Sequence, residues 1–238
     1  MNLILQSLDP SPASIKHVAT LAQAQHTTPI NQRAWRCEGV NFSHELKAQI
    51  DAACLAAHID YAFVPPGRTL SDFKLLVMDM DSTLITIECI DEIADMHGLK
   101  PQVAAITEAA MRGEIEFRES LTRRVALLTG LDASALQRVY DERLRLSPGA
   151  ERMLATVQTA GLKTLLVSGG FTFFTKRIQA RLGLNFSHAN ELEAIDGKLT
   201  GRVLGEIVDA DGKCRAVERV CTELGIQARQ AIVLGDGA

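Results

Sequence analysis

The chain opens on a run whose apolar positions alternate, "MNLILQS", the period of a strand buried on one face. Residues 12 to 25 and 43 to 57 read as helices, and "YAFVPPG" closes a third piece. The Pro65-Pro66-Gly67 cluster then interrupts regular structure as a linker does. These signs predict a small α+β domain over residues 1–70. After it the pattern changes. Residues 73 to 78 are apolar apart from Lys74, with little alternation, as in a parallel strand buried on both faces. "KTLLVSGG" at 163 to 170 and "QAIVLGDG" at 230 to 237 repeat that theme, with helical stretches between them.

Pro148 suits a helix start and Gly161 its stop, while Gly183 and Gly225 suit the ends of two more helices. Strand and helix in alternation predict an α/β fold, a Rossmann-like doubly wound parallel sheet, over residues 71–238. Asp196-Gly197 inside "NELEAIDGKLTGRVLGE" marks a hairpin turn. Between the first strand of this region and Pro148 the pattern is helical only. Gly98, Gly113, Gly130 and Gly149 punctuate it into roughly four helices. The block is too long for a strand-to-helix loop. It predicts a helical cap, inserted at about residues 88–146, lying over the C-terminal end of the strand it follows.

Composition acts mainly by exclusion. A chain of 238 residues, 47% hydrophobic and 23% charged, has enough length and apolar content for a substantial core. A net charge of -4 gives no footprint for nucleic acid or an anionic membrane surface. No apolar run approaches membrane-spanning length, and the first residues lack the basic start of a signal peptide, so a cytoplasmic protein is expected. Cys37, Cys54, Cys89, Cys214 and Cys221 are odd in number and form no C-x-x-C pair. They read as reduced thiols, not as a disulfide frame or zinc site. The histidines form no cluster, and no nucleotide-binding glycine loop is present.

The chemistry gathers at strand ends. "FKLLVMDMDSTLI" ends an apolar run in two carboxylates, Asp79 and Asp81. Ser168-Gly169-Gly170 ends the next such run, Gly235-Asp236-Gly237 ends the last, and Lys213 stands where another helix begins. Open α/β sheets bind ligands at the carboxyl ends of their strands, so these four elements can converge. Hard carboxylate oxygens suit Mg²⁺, with Asp79 and Asp236 as two ligands. A carboxylate can attack phosphorus, and a second acid, Asp81, can protonate the leaving oxygen and then deprotonate water. Its neighbouring carboxylate would raise the pKa of Asp81, against the opposing effect of Lys213 and the metal. Ser168 and the N–H groups after Gly169 suit phosphate oxygens at a helix N-terminus, and Lys213 suits the charge between them. Taken singly, each piece is ordinary. D-x-D also serves as a strand-end turn or a nucleotide-sugar metal motif, S-G-G and G-D-G are common turns, and most lysines are solvated. The order of all four along one chain carries the argument.

In "EFRESLTRRVALL", Phe117, Leu121, Arg124 and Leu128 share one helical face, while Arg123 points elsewhere. An arginine on an apolar face needs an anion, either a cap glutamate or a bound carboxylate. Glu88 fits the start of the first cap helix, where an acid is favoured by the dipole.

"DMDST", "SGGF", Lys213 and "GDGA" resemble the four successive motifs of the haloacid dehalogenase superfamily. "IECIDEIA", "MRGEIEFRESLTRRV", "SGGFTFF" and "ANELEAIDGKLTG" are similar to its phosphoserine phosphatases over about residues 73 to 238, and residues 1–70 loosely resemble their ACT-like extensions. The resemblance implies hydrolysis of L-phosphoserine, the last step of serine synthesis. Asp79 would be the nucleophile and Asp81 the general acid/base. Mg²⁺ would be held by Asp79, the Asp81 backbone carbonyl and Asp236. Ser168, Gly169 and Lys213 would bind phosphate. Glu88 would meet the substrate ammonium and Arg124 its carboxylate, with Met111 and Phe117 lining the pocket. The family pattern continues past "GDGA" with an asparagine and a second aspartate, which these 238 residues do not contain. The expectation is a chain lacking its C-terminal end, with its metal site short of one acid and its activity impaired. Two other functions fit less well. One is a phosphatase for another small monoester such as phosphohomoserine. The other is a non-catalytic amino-acid sensor acting through the N-terminal domain. A homodimer and an amino-acid ligand on that domain are the remaining partners considered.

Overall fold

A computed structural model describes residues 1–236, which divide into two compact units after Thr69. Gly237 and Ala238, the end of "GDGA", lie outside the described residues. The first unit runs β1 (Asn2–Gln6), α1 (Pro12–Leu21), β2 (His26–Asn31), β3 (Ala34–Glu38), α2 (His44–Ala56) and β4 (Asp60–Val64). Its antiparallel sheet has the order β2-β3-β1-β4, the β-α-β-β-α-β arrangement of ferredoxin-like folds. The alternation read in "MNLILQS" places Leu3 and Leu5 in a core with Ile15 and Val18 of α1 and Ile50 and Cys54 of α2. Serines start both helices: the Ser43 hydroxyl accepts the Leu46 N–H at 3.0 Å. The β2–β3 hairpin was not legible beforehand. Every residue of β2 is exposed and Pro29 lies within it, so the strand has no apolar alternation and is tolerated only at a sheet edge.

The second unit contains β5 (Leu75–Met78), α3 (Cys89–Asp95), α4 (Lys100–Met111), α5 (Phe117–Ala126), α6 (Ser134–Glu142) and α7 (Ala150–Thr159). It continues with β6 (Lys163–Phe171), α8 (Thr172–Leu182), β7 (Phe186–Ile195), β8 (Lys198–Leu204), α9 (Ala210–Leu224) and β9 (Ala231–Leu234). The sheet order is β8-β7-β6-β5-β9, parallel except for the β7–β8 pair. Strand period 2 assigns the two faces. Leu75 and Val77 pack with Leu165, Val167 and α9 residues Ala216 and Val220, while Leu76 and Met78 pack with Leu154 of α7 and Phe174 and Ile178 of α8. All four residues of β5 are buried, which is why its sequence shows no alternation. Each such side chain contributes roughly 1.5–3 kcal/mol relative to an exposed one.

Asp196-Gly197 forms the two-residue turn between β7 and β8, both residues at positive φ (50° and 75°). Helices α3 to α6 occupy the interval between β5 and α7, as the block of helical pattern implied. One boundary differs: α7 begins at Ala150, because Gly149 takes a left-handed conformation (φ 88°) that delays the helix past Pro148. No helix among the described residues is long and apolar enough to cross a membrane.

Candidate active site

Asp79 follows the last residue of β5. Its N–H bonds the Leu234 carbonyl of β9 at 3.0 Å, which fixes the backbone at the sheet's C-terminal edge. Its Oδ1 accepts the Met80 N–H at 2.7 Å, and its Oδ2 receives the Lys213 ammonium at 2.5 Å. The chain then makes one wide turn, Met80–Leu84, with Ser82 left-handed at φ 51°. That turn lets Asp81 fold back into the site. The Ser82 hydroxyl donates to Glu88 Oε1 at 2.5 Å, tying the residue before α3 to the Met80–Leu84 turn.

Asp81 Oδ1 accepts the Cys89 N–H at 2.9 Å, from the first residue of α3, and Oδ2 accepts the Ser168 hydroxyl at 3.3 Å. Burial raises the pKa of Asp81, the Cys89 amide opposes the rise, and the Asp79 charge adds to it. Burial therefore comes before the neighbouring carboxylate, which the sequence alone had put first. A side chain at Gly170 would push on Asp81. A Cβ there would stand 2.6 Å from Asp81 Oδ2 and 2.9 Å from the Met80 side chain.

Lys213 owes its place to the first turn of α9. Asp209 caps that helix, its Oδ1 accepting the Gly212 N–H at 2.8 Å and its carbonyl the Lys213 N–H at 2.8 Å. The other Asp209 oxygen accepts Arg118 Nε of α5 at 2.6 Å, so the cap helix also bears on this turn.

One cavity of about 650 Å³ is lined by Asp79, Asp81, Glu88, Met111, Phe117, Arg124, Ser168, Gly169, Lys213 and Asp236. Every site residue named from sequence lines it. Their burial differs. Ser168 is fully buried, whereas Met111 is 83% exposed and so sits at the rim. The Phe117 ring closes over Gly169, 2.9 Å from where a Cβ would stand. Ser168 and Gly169 do not sit at a helix start as expected. They belong to β6, which runs to Phe171 before α8 begins.

Arg124 lines this cavity and, among the described residues, has no carboxylate within 4 Å. Its Nε reaches only the Ser120 carbonyl, at 3.4 Å. Burial lowers its pKa, and the charges of Asp91 and Glu88 oppose that. Arg123, its neighbour in sequence, points outward and pairs with Glu119. An internal ion pair thus does not satisfy Arg124.

Several wall residues were missed from sequence, among them two polar ones on α3 and α5. Asp91 lies one turn after Glu88, and Ser120 lies three residues after Phe117, so helical spacing from named residues would have found both. The Ser120 hydroxyl is buried and, among the described residues, has no hydrogen-bond partner. Such a group costs about 1–3 kcal/mol. Ser120→Ala is therefore expected to raise stability by about 1 kcal/mol, read as a rise of about 3 °C in the thermal midpoint.

The haloacid dehalogenase-like hydrolase family matches residues 76–238, and a domain of unknown function matches residues 3–50. A phosphoserine phosphatase from Polaromonas sp. is 56% identical over 178 residues, 73% of this chain and 75% of that protein. The unliganded crystal structure of a probable phosphoserine phosphatase from Vibrio cholerae superposes with a TM-score of 0.79 at 32% identity, covering 100% of this chain and 73% of that one. A phospho-aspartyl intermediate analogue of phosphoserine phosphatase matches with a TM-score of 0.64 at 36% identity, over 68% of this chain and 77% of that one.

Proposed function

The chain belongs to the haloacid dehalogenase-like hydrolase family, and from that premise we propose that it hydrolyses L-phosphoserine to L-serine and phosphate through an aspartyl-phosphate on Asp79. The observation that carries this is that two sets of side chains line one cavity. Asp79, Ser168, Gly169 and Lys213 suit a phosphoryl group, and Glu88 suits the ammonium of a zwitterion and Arg124, which has no carboxylate within 4 Å among the described residues, its carboxylate.

One Asp79 oxygen attacks phosphorus while the bond from phosphorus to the serine oxygen breaks. Asp81, whose pKa burial raises, gives its proton to the leaving oxygen. L-Serine departs. Asp81, now a carboxylate, takes a proton from water as that water attacks the aspartyl-phosphate. The carboxylate of Asp79 is restored and phosphate leaves. Lys213 and the polar atoms of Ser168 and Gly169 hold the phosphoryl oxygens, whose charge spreads in the transition state. Arg124 takes the substrate carboxylate, Glu88 the ammonium, and Phe117 and Met111 close the side of the pocket.

The donors suit a divalent cation. Asp79 and Asp236 offer hard oxygens to the same cavity. Mg²⁺ is bound in this manner, by one or two carboxylates completed with waters and substrate phosphate. Asp79, the Asp81 carbonyl and Asp236 would hold it, and when bound it supplies positive charge against the phosphoryl oxygens. The ferredoxin-like order of the N-terminal sheet supports reading residues 1–69 as an ACT-like unit.

The test is phosphate release from L-phosphoserine, L-phosphohomoserine and p-nitrophenyl phosphate, with Mg²⁺ and with EDTA. Release that is fastest from L-phosphoserine and lost in EDTA is expected. Equal or faster turnover of phosphohomoserine would move the substrate assignment.

A further inference from the structure

Strand β6 leaves its ladder where the phosphate-binding residues stand. Val167 pairs with His188 of β7 and Phe171 pairs with Asn190, so β6 spends four residues on an interval that β7 crosses in two. The two extra residues lie within Ser168-Gly169-Gly170. A bulge of this kind takes backbone N–H and C=O groups off the neighbouring strand and turns them toward a site. Each carbonyl so released needs a new partner if it is buried.

Asn190 supplies one. Its Nδ2 donates to the Gly169 carbonyl at 2.7 Å, where a ladder bond would otherwise have been. Its Oδ1 accepts the Val208 N–H at 2.8 Å. Val208 precedes Asp209, the residue that caps α9 and accepts the Lys213 N–H. The Asn190 side chain is 1% exposed, and both sides of its amide are occupied. A single buried amide therefore spans the two backbone segments that present Gly169 and Lys213. It lies in "ANELEAIDGKLTG", a stretch whose part in the chemistry is otherwise unassigned.

We propose that Asn190 is a positioning residue for the phosphate end of the cavity, setting the spacing between the Ser168-Gly169-Gly170 bulge and the turn that carries Lys213. The inference rests on the reading that Gly169 and Lys213 bind phosphate. It does not depend on which ester the enzyme prefers. Asn190 acts through these two elements and touches neither the substrate nor Asp79.

The expected signature differs from that of a residue at the zwitterion end. A displaced phosphate cradle weakens everything that carries a phosphoryl group. Replacing Asn190 by alanine leaves room for water to bond the Gly169 carbonyl and the Val208 N–H. Replacing it by leucine fills the space and leaves both unpaired. The measurement is competitive inhibition by inorganic phosphate, with KM for L-phosphoserine and for p-nitrophenyl phosphate, using the full chain with Mg²⁺. Asn190→Ala is expected to raise the phosphate inhibition constant and both KM values about fivefold, and Asn190→Leu by more.

Inhibition constants and KM do not depend on how much of the enzyme is folded, so a variant that folds poorly still reports on its native fraction. If the variants lose only maximal velocity, in proportion to folded protein, while these constants stay at wild-type values, Asn190 is structural and the proposal is overturned. If KM rises for L-phosphoserine but not for p-nitrophenyl phosphate, Asn190 serves the zwitterion end, and the proposal is again overturned. Phosphate binding followed by ³¹P NMR needs no turnover. The spacing role is thus read even if L-phosphoserine proves not to be the substrate.

Discussion

Asp79→Asn is expected to abolish phosphate release from L-phosphoserine, with kcat lowered by about 10⁴-fold or more. The substitution changes little besides the nucleophile. The amide has nearly the shape of the carboxylate, and its oxygen can still accept the Met80 N–H that Asp79 Oδ1 now accepts. What disappears is the negative oxygen that attacks phosphorus, together with the charge of the Lys213 pair. That pair is mostly buried, its side chains 30% and 19% exposed, so its loss costs about 1–3 kcal/mol of stability. Thermal melting checks the fold, and phosphate release with acid-quenched trapping of labelled enzyme checks the chemistry. Wild type should retain label from phosphorus-labelled substrate and the variant should not. A variant that still turns over, or still takes up label, would move the nucleophile elsewhere in the cavity.

The second large effect is selective. Arg124→Ala is expected to lower kcat/KM for L-phosphoserine by about 10²–10³-fold while changing that for p-nitrophenyl phosphate less than about threefold. A charge-assisted pair lost from a partly buried site costs about 2–5 kcal/mol, and the first number lies in the middle of the range this gives. The second follows from position. Arg124, on α5, makes no ion pair or hydrogen bond with Asp79 or Lys213, and p-nitrophenyl phosphate has no carboxylate to offer it. Arg124→Lys should recover only part of the loss, because a point charge cannot reproduce a two-pronged grip on a carboxylate. The check is steady-state kinetics on both substrates. An equal fall for both would mean that Arg124 holds the cap in shape and does not read the substrate.

Much of this was legible in the chain because the signals were local. Residues 73 to 78 lack alternation because β5 is covered on both faces, so burial wrote itself directly into the sequence. Asp196-Gly197 announced its hairpin because few residue pairs accept two positive φ angles. Arg124 and Phe117 could be placed on one face from helical period alone, and both line the cavity. The β2–β3 hairpin was missed for the opposite reason. Its outer strand buries nothing, and a strand with no covered face has no pattern to read.

By itself, then, the sequence determined which residue types stand at the ends of the strands, that a helical block is inserted after the first of them, and which arginine of a consecutive pair turns inward. These follow from backbone periodicity and turn chemistry, which act over a few residues. Only the tertiary structure decided what those residues meet. Burial pushes the pKa of Asp81 up, while the Cys89 N–H and the hydroxyl of Ser168, far along the chain, donate to its carboxylate and oppose that rise. Ser168 and Gly169 lie on a strand bulge instead of a helix start because β6 slips against β7. Asn190 gains its place because that slip frees a carbonyl for it to bind. Each of these depends on contacts between segments far apart in sequence, whose meeting is set by how the sheet packs and is not encoded in any short stretch.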